Sequence, residues 1–284
     1  AALSPQAFLD CFVRWTQSLR TAVAQEIVAL DGKALRRALN GDQSIKCVVS
    51  AWAESNSLVL GQLKVNDKSN EITALPTLLR ALELAGCIVT VDAMGTQKKI
   101  AKEIIEAEAD YVLALKGNHE TVHAEVKSFL DATLAEKNAK PVRPSAAAAH
   151  LAVHETVEKD HGRIETRRYY QSAELDWFAD RNKWEGLKTV GMVEAIREMG
   201  SARTVERRYY LSSLPLSVET FARAVRGHWA VENKLHWVLD VQMREDQSRA
   251  RTGYAAENLA TLRRLALNLL QREKTKKRGI RGKQ

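Results

Sequence analysis

Three acidic residues stand where a polymer-cutting enzyme needs carboxylates. Asp31 closes the run Ile27-Val28-Ala29-Leu30, and Asp92 closes Ile88-Val89-Thr90-Val91. Short, apolar, β-branched runs of this kind read as buried strands. An acid at the end of one is held rigidly at the rim of a sheet. Glu232 lies in RGHWAVENKLHWVLDV, inside a helical pattern that can bring it against that rim. Two strand-end aspartates and one helix glutamate suit a pair of divalent cations, and such a pair cuts phosphodiesters. Taken singly, a strand-end Asp reads as a turn residue that bonds its own backbone. The matched contexts of Asp31 and Asp92, with the elements between them, favour the site.

Those elements follow from periodicity. Residues 5–24 carry Phe8, Phe12, Trp15, Leu19 and Val23 at three-to-four spacing, the mark of an amphipathic helix. Strand patterns occupy 26–31, 45–53 and 58–65, and Ser55-Asn56-Ser57 supplies a turn, which predicts three antiparallel strands. A helix is expected over 71–85 with Gly86 as its stop, then a strand at 87–92, a helix at 96–108 and a strand at 110–116. Three meandering strands, helix, strand, helix, strand, with Asp on the first and fourth strands, is the order of a ribonuclease H-like α/β fold. That fold is a mixed sheet with helices on both faces.

A helix near 119–137 and a loop over 138–149, with Pro141, Pro144 and a run of alanines, come next. From His150 to Leu214 the texture changes to period-two alternation, which predicts a β-rich insertion outside the main sheet. Within it Glu165-Thr166-Arg167-Arg168-Tyr169-Tyr170 is nearly repeated as Glu206-Arg207-Arg208-Tyr209-Tyr210. As strands, these could offer Arg167 and Arg207 to phosphates and tyrosines to bases, or simply turn arginines to solvent. A helix then starts after Pro215 with Ser217 as N-cap, and His228, Glu232, His236 and Asp240 form a polar stripe along it. A last helix spans about 254–272, before the basic tail KTKKRGIRGKQ. The expected organisation is an N-terminal helix over 1–25, the first part of the core over 26–149, the insertion over 150–214, helices completing the core over 215–272, and a disordered basic tail over 273–284. Because the sequence begins with Ala1 and enters a helix at once, that first helix is expected to be the remnant of a longer segment.

With 284 residues and 45% hydrophobic content the chain can bury a large core. No run is apolar and long enough to cross a bilayer, and no signal peptide opens the sequence. Cys11, Cys47 and Cys87 are too few and scattered for a disulfide framework or a zinc cluster, so a reducing cytoplasm is expected. A net charge of +8 favours a polyanionic partner.

Together the motifs resemble the DDE transposases of bacterial insertion sequences, most closely the H-repeat-associated branch. The similar stretches are Asp31-Gly32-Lys33, Val91-Asp92-Ala93-Met94-Gly95-Thr96-Gln97, Tyr111 through Asn118, His161-Gly162-Arg163, and His228-Trp229 through Val241. The resemblance implies Asp31, Asp92 and Glu232 as a triad holding two Mg²⁺ or Mn²⁺ ions. It implies cleavage of transposon DNA ends and their transfer to target DNA, by a homodimer on DNA, in the nucleoid of a bacterial cytoplasm. Lys33, Lys116, His119 and Arg163 are candidate phosphate contacts. Related cut-and-paste enzymes carry a Tyr-x2-Arg-x3-Glu-x6-Lys pattern; here Val225, His228 and Leu239 hold those places. Arg226, His228 and Lys234 are the nearby substitutes for its DNA contacts.

Two other readings stand beside this one. In the first, the chain is an inactive or domesticated relative that holds DNA without cutting it. In the second, His228, Glu232 and His236 bind a transition metal from one helix. Those three span about 12 Å at roughly 1.5 Å per residue, too far for one ion.

Overall fold

The computed structural model describes residues 3–34, 47–65, 71–160, 162–250, 252–276 and 278–283. The chain is mixed α/β and forms two compact units. The first takes in residues up to Val89, Glu106–Ala109 and the chain from Arg226 onward; the second takes in Thr90–Ile105 and Asp110–Val225.

In the first unit, Ser4 caps α1 (Pro5–Leu19), its side chain accepting from Ala7 N–H, with Pro5 pre-set for the first turn. Strands β1 (Ile27–Ala34), β2 (Cys47–Ala53) and β3 (Leu58–Val65) pair antiparallel, as the strand runs and the Ser55-Asn56-Ser57 turn predict. Residues 45–46 of the expected second strand lie outside the described residues. Helix α2 (Glu71–Ala81) ends five residues before Gly86. The core joins Phe12 of α1, Ala29, Trp52 and Val59 of the three strands, Val231, Leu235, Val238 and Leu239, and Leu267 of α7 (Ala255–Arg272). Each fully buried Val, Leu or Phe side chain of this cluster contributes about 1.5–3 kcal/mol. Asn268 of α7 clips β3 by a two-way amide pair, donating to Val59 O and accepting from Val59 N–H, both at 2.9 Å.

Three expectations change in this unit. Asp31 does not end its strand: β1 runs on to Ala34, because β2 extends far enough to continue the ladder, with Asp31 opposite Ser50 and Lys33 opposite Val48. The long helix expected from Ser217 is α-helical only over α6 (Val218–Val231), after which the chain winds in two wider π turns, Glu232–His236 and Val238–Gln242. Trp237 N–H thus reaches back to Glu232 O, and Met243 N–H to Val238 O. The basic tail, expected to be disordered, contains the short helix α8 (Ile280–Lys283), and its apolar Ile280 packs on the core cluster.

Helix α6 approaches β1 through Gly227. A Cβ there would lie 2.7 Å from Ile27 Cδ1 and 3.2 Å from its stiff, branched Cβ. Gly227→Ala is expected to lower stability by about 1–3 kcal/mol through overpacking, less roughly 1 kcal/mol gained in helix propensity. A lowered urea midpoint would register it; an unchanged or raised midpoint would show that Ile27 yields freely.

The second unit holds the end of β4 (Ile88–Val91), most of α3 (Lys98–Glu106), β5 (Asp110–Leu115), α4 (Glu120–Ala139), α5 (Ala146–His150) and strands β6 (Ala152–Asp160), β7 (Arg163–Ser172), β8 (Thr189–Met199) and β9 (Ala202–Ser212). The last four pair antiparallel in sequence order, and β9 also pairs with β5, Leu113 opposite Leu211. The β-rich stretch therefore continues the ladder of β5 instead of standing outside it. Both near-repeats lie in strands, but Tyr169, Tyr170, Tyr209 and Tyr210 are all buried, so none is a platform for bases. Tyr209 donates to Asp131 of α4, whereas Tyr210 meets the ring of Phe221 in α6: neighbouring residues point to opposite faces, and both faces are covered.

Candidate metal centre

In the first unit β1 delivers Asp31 and the first π turn delivers Glu232. Between them lies His236, which is buried. Its Nδ1 is 3.1 Å from Glu232 Oε2 and 3.5 Å from Asp31 Oδ2, and one ligand atom from each of the three residues falls within 4.8 Å of the others. Gly32 N–H donates to Asp31 Oδ1 at 2.9 Å, which holds that carboxylate in place. Burial pulls the His236 imidazole below its usual pKa, more than the Glu232 carboxylate beside it raises it. Asp31 and Glu232, with His236 between them, form a cluster of the size that holds one divalent cation.

Behind this pair runs a buried ionic network. Lys33, two residues past Asp31, lies 2.6 Å from Asp240 Oδ1, 3.1 Å from Asp246 Oδ1 and 3.5 Å from Glu245 Oε2. These acids outweigh the burial that would lower it, and Lys33 titrates above its usual 10.5. Arg264, fully buried on α7, donates to Glu245 Oε1 at 2.8 Å and to Ser50 Oγ at 3.1 Å. Ser50 is the cross-strand neighbour of Asp31. Lys33 is thus an internal counter-ion and not an exposed phosphate contact: the acids that bury it come from a segment far along the chain.

In the second unit Asp92 directly follows β4 and is half-buried. Gly95 N–H donates to its Oδ1 at 3.2 Å. The Thr96 hydroxyl reaches Ala114 O at 2.7 Å, and Asn118 Nδ2 donates to Ala93 O at 2.7 Å. The Asp92 loop is therefore pinned by the end of β5 and the turn after it, which accounts for the amide at Asn118. Lys116 is exposed there, and His119 Nε2 lies 3.3 Å from Ala93 O.

The other expected DNA contacts fall into two groups. Arg167 is largely buried in a bidentate-like grip on Glu158 and Glu165, and Arg207 pairs with Glu194 and Asp131. These arginines serve cross-strand ion pairs, as alternation on facing strands permits. Arg163 is half-exposed, 3.7 Å from Glu165; Lys234 reaches Glu54 at 2.6 Å; Arg226 is exposed and His228 half-buried on α6. His161, one of the motif residues, lies outside the described residues. The sequence offers His236 only as a partner of His228 and Glu232 on its own helix; its contact with Asp31 of β1 joins residues far apart in the chain and could not be read there. Its burial had a local signal: His236 is the one histidine of that stripe set in LHWVL, an apolar surround.

No helix among the described residues is long and apolar enough to cross a membrane. Residues 24–269 match the family model described as Transposase DDE domain. The chain is 38% identical over 290 residues to the "H repeat-associated putative transposase YhhI" of Escherichia coli K12, covering 100% of this chain and 74% of that protein. It is 40% identical over 283 residues to the "Putative transposase YncI" of Escherichia coli O157:H7, covering 98% and 70%. A match of the same extent, at 38% identity, is to the "Putative protein YbfL" of Escherichia coli K12. With most of its length matched in this way, the chain belongs to the transposase DDE domain family.

Proposed function

We propose that the chain is a metal-dependent transposase that cleaves DNA strands at the ends of an insertion sequence and joins them to target DNA. The observation that carries this reading is the meeting of Asp31 and Glu232 with His236 in a cation-sized cluster. Asp31 and Glu232 would hold Mg²⁺ or Mn²⁺, with Asp92 as the family's third carboxylate. Bound there, such ions would supply activation of the attacking water or 3′-hydroxyl and charge stabilisation at the leaving oxygen. The protein's own part is to hold the donors. Gly32 N–H fixes Asp31, the Lys33–Glu245–Arg264–Ser50 network fixes the strand beneath it, and Asn118 and Thr96 fix the loop of Asp92. Lys116, His119, Arg163, Arg226, His228 and Lys234 are candidates to meet DNA phosphates, with the net charge of +8 drawing in the polyanion. Dimerisation on DNA and a bacterial cytoplasmic setting belong to the same reading.

The test is nicking of supercoiled plasmid carrying the element's ends. Wild-type protein is expected to nick with Mg²⁺ or Mn²⁺ and not with EDTA, and Asp31→Asn to fail under all conditions. DNA binding with no metal-dependent nicking by the wild type would identify a DNA-holding relative and reject this reading.

A further inference from the structure

The fold treats the two nitrogens of His236 differently. Nδ1 faces Glu232 Oε2 at 3.1 Å and Asp31 Oδ2 at 3.5 Å, whereas Nε2 is buried with no hydrogen-bond partner among the described residues. The surroundings of the two nitrogens decide which of them carries the N–H. Placed on Nδ1, it makes a charge-assisted bond to a carboxylate. Placed on Nε2, it becomes a buried donor without an acceptor, the costly arrangement. The proton therefore stays on Nδ1, and the nitrogen that faces the carboxylates has no lone pair to give a cation. A histidine that ligates metal almost always hands its other N–H to an acceptor; among the described residues His236 has none.

We propose, resting on the metal-dependent reading above, that His236 is a positioning residue for Glu232 and not a third ligand to the cation. The Nδ1–H of His236 engages Glu232 Oε2, leaving the other Glu232 oxygen for the ion. It also stands between the Glu232 and Asp31 carboxylates, which would otherwise repel one another. The ligands are then carboxylate oxygens only, a set that suits Mg²⁺ and Mn²⁺ and gives no advantage to imidazole-seeking Zn²⁺ or Co²⁺. The π turn is the device that makes this geometry: it is the segment that carries both Glu232 and His236.

The experiment is Mn²⁺ titration of the full chain followed by electron paramagnetic resonance, with electron spin-echo modulation of the bound ion to detect coordinated nitrogen. The wild type is expected to bind Mn²⁺ with no ¹⁴N coupling from a directly bound imidazole. His236→Ala is expected to weaken binding about 10–100-fold, the usual effect of removing such an outer partner, and His236→Asn, whose amide N–H falls near the place of Nδ1, to return it to within about threefold. His236→Gln, with its amide near the place of Nε2, is expected not to rescue. Coupling of a bound imidazole in the wild type that vanishes in the variants overturns the proposal, as does wild-type affinity in folded His236→Ala. Should His236→Ala fail to fold by thermal unfolding, the wild-type spectrum and the Asn and Gln variants still decide. Mn²⁺ affinity that ignores both Asp31→Asn and Glu232→Gln would instead reject the underlying metal site.

Discussion

Glu232→Gln is expected to remove Mg²⁺-dependent strand cleavage while leaving the fold and DNA binding in place. The glutamate side chain is 71% exposed, so the amide fits with little strain, and the substitution deletes only the charge that would offset a cation. A metal contributes several kcal/mol of charge stabilisation, and each 1.36 kcal/mol is tenfold in rate, so a fall of at least about a hundredfold is expected. Binding should rest on Lys and Arg contacts to phosphates and weaken steeply with salt, equally in both proteins. The contrary case is clear-cut. Were Glu232 only an i,i+4 partner of His236 on its own turn, losing that pair would cost about 0.5 kcal/mol or less and cleavage would survive. Nicking by Glu232→Gln at near wild-type rate, measured beside unchanged DNA affinity, would defeat the assignment.

What could be read in the sequence, and what could not, divides along chain distance. The apolar β-branched run before Asp31 and the Ser55-Asn56-Ser57 turn are local signals: β2 and β3 form where they predict, and β1 does too but runs on to Ala34. The alternation in 163–172 and 202–212 likewise gives β7 and β9. Burial of the tyrosines in those strands could not be read, because α4 and α6 cover opposite faces and come from elsewhere in the chain. Lys33 misled for the same reason. Beside Asp31 it reads as a phosphate contact, yet Asp240, Glu245 and Asp246 claim it. The π turns were illegible in principle: a one-residue widening of the helix leaves no mark on a periodicity of three to four. That widening decides which side chains of the polar stripe meet Asp31. His236 does, in the described cluster, and Asp240 turns instead to Lys33.

The largest loss of stability is expected from Arg264→Met. Arg264 is fully buried, and its partner Glu245 is 1% exposed at the side chain. Removing the guanidinium strands a carboxylate in the core with Lys33, at 3.5 Å and already shared with Asp240 and Asp246, and the field of Arg263 to offset it. Breaking a buried pair in this way costs about 3–5 kcal/mol, and at roughly 2–4 °C per kcal/mol for a chain of this order of size the melting temperature should fall by about 10 °C. Arg264→Lys should recover little, since one ammonium cannot reach both Glu245 and Ser50 as the planar fork does. Arg264→Met combined with Glu245→Met should recover much of the loss, because no uncompensated charge is then buried. The pair also leaves an acid signature. Burial alone would raise the Glu245 pKa, but Arg264 and Lys33 outweigh it and hold it below 4.5. A depressed carboxylate contributes stability above its unfolded pKa and loses it as pH falls through the folded one. Wild-type melting temperature should therefore decline below about pH 4.5, and the Arg264→Met variant should lose that decline along with its stability. A variant that melts within about 2 °C of wild type, with the same acid slope, would show the network to be dispensable. Because Ser50 lies opposite Asp31 in the ladder, a loosened Arg264 also frees the strand that carries the carboxylate, so metal affinity should fall at temperatures where the variant is still folded.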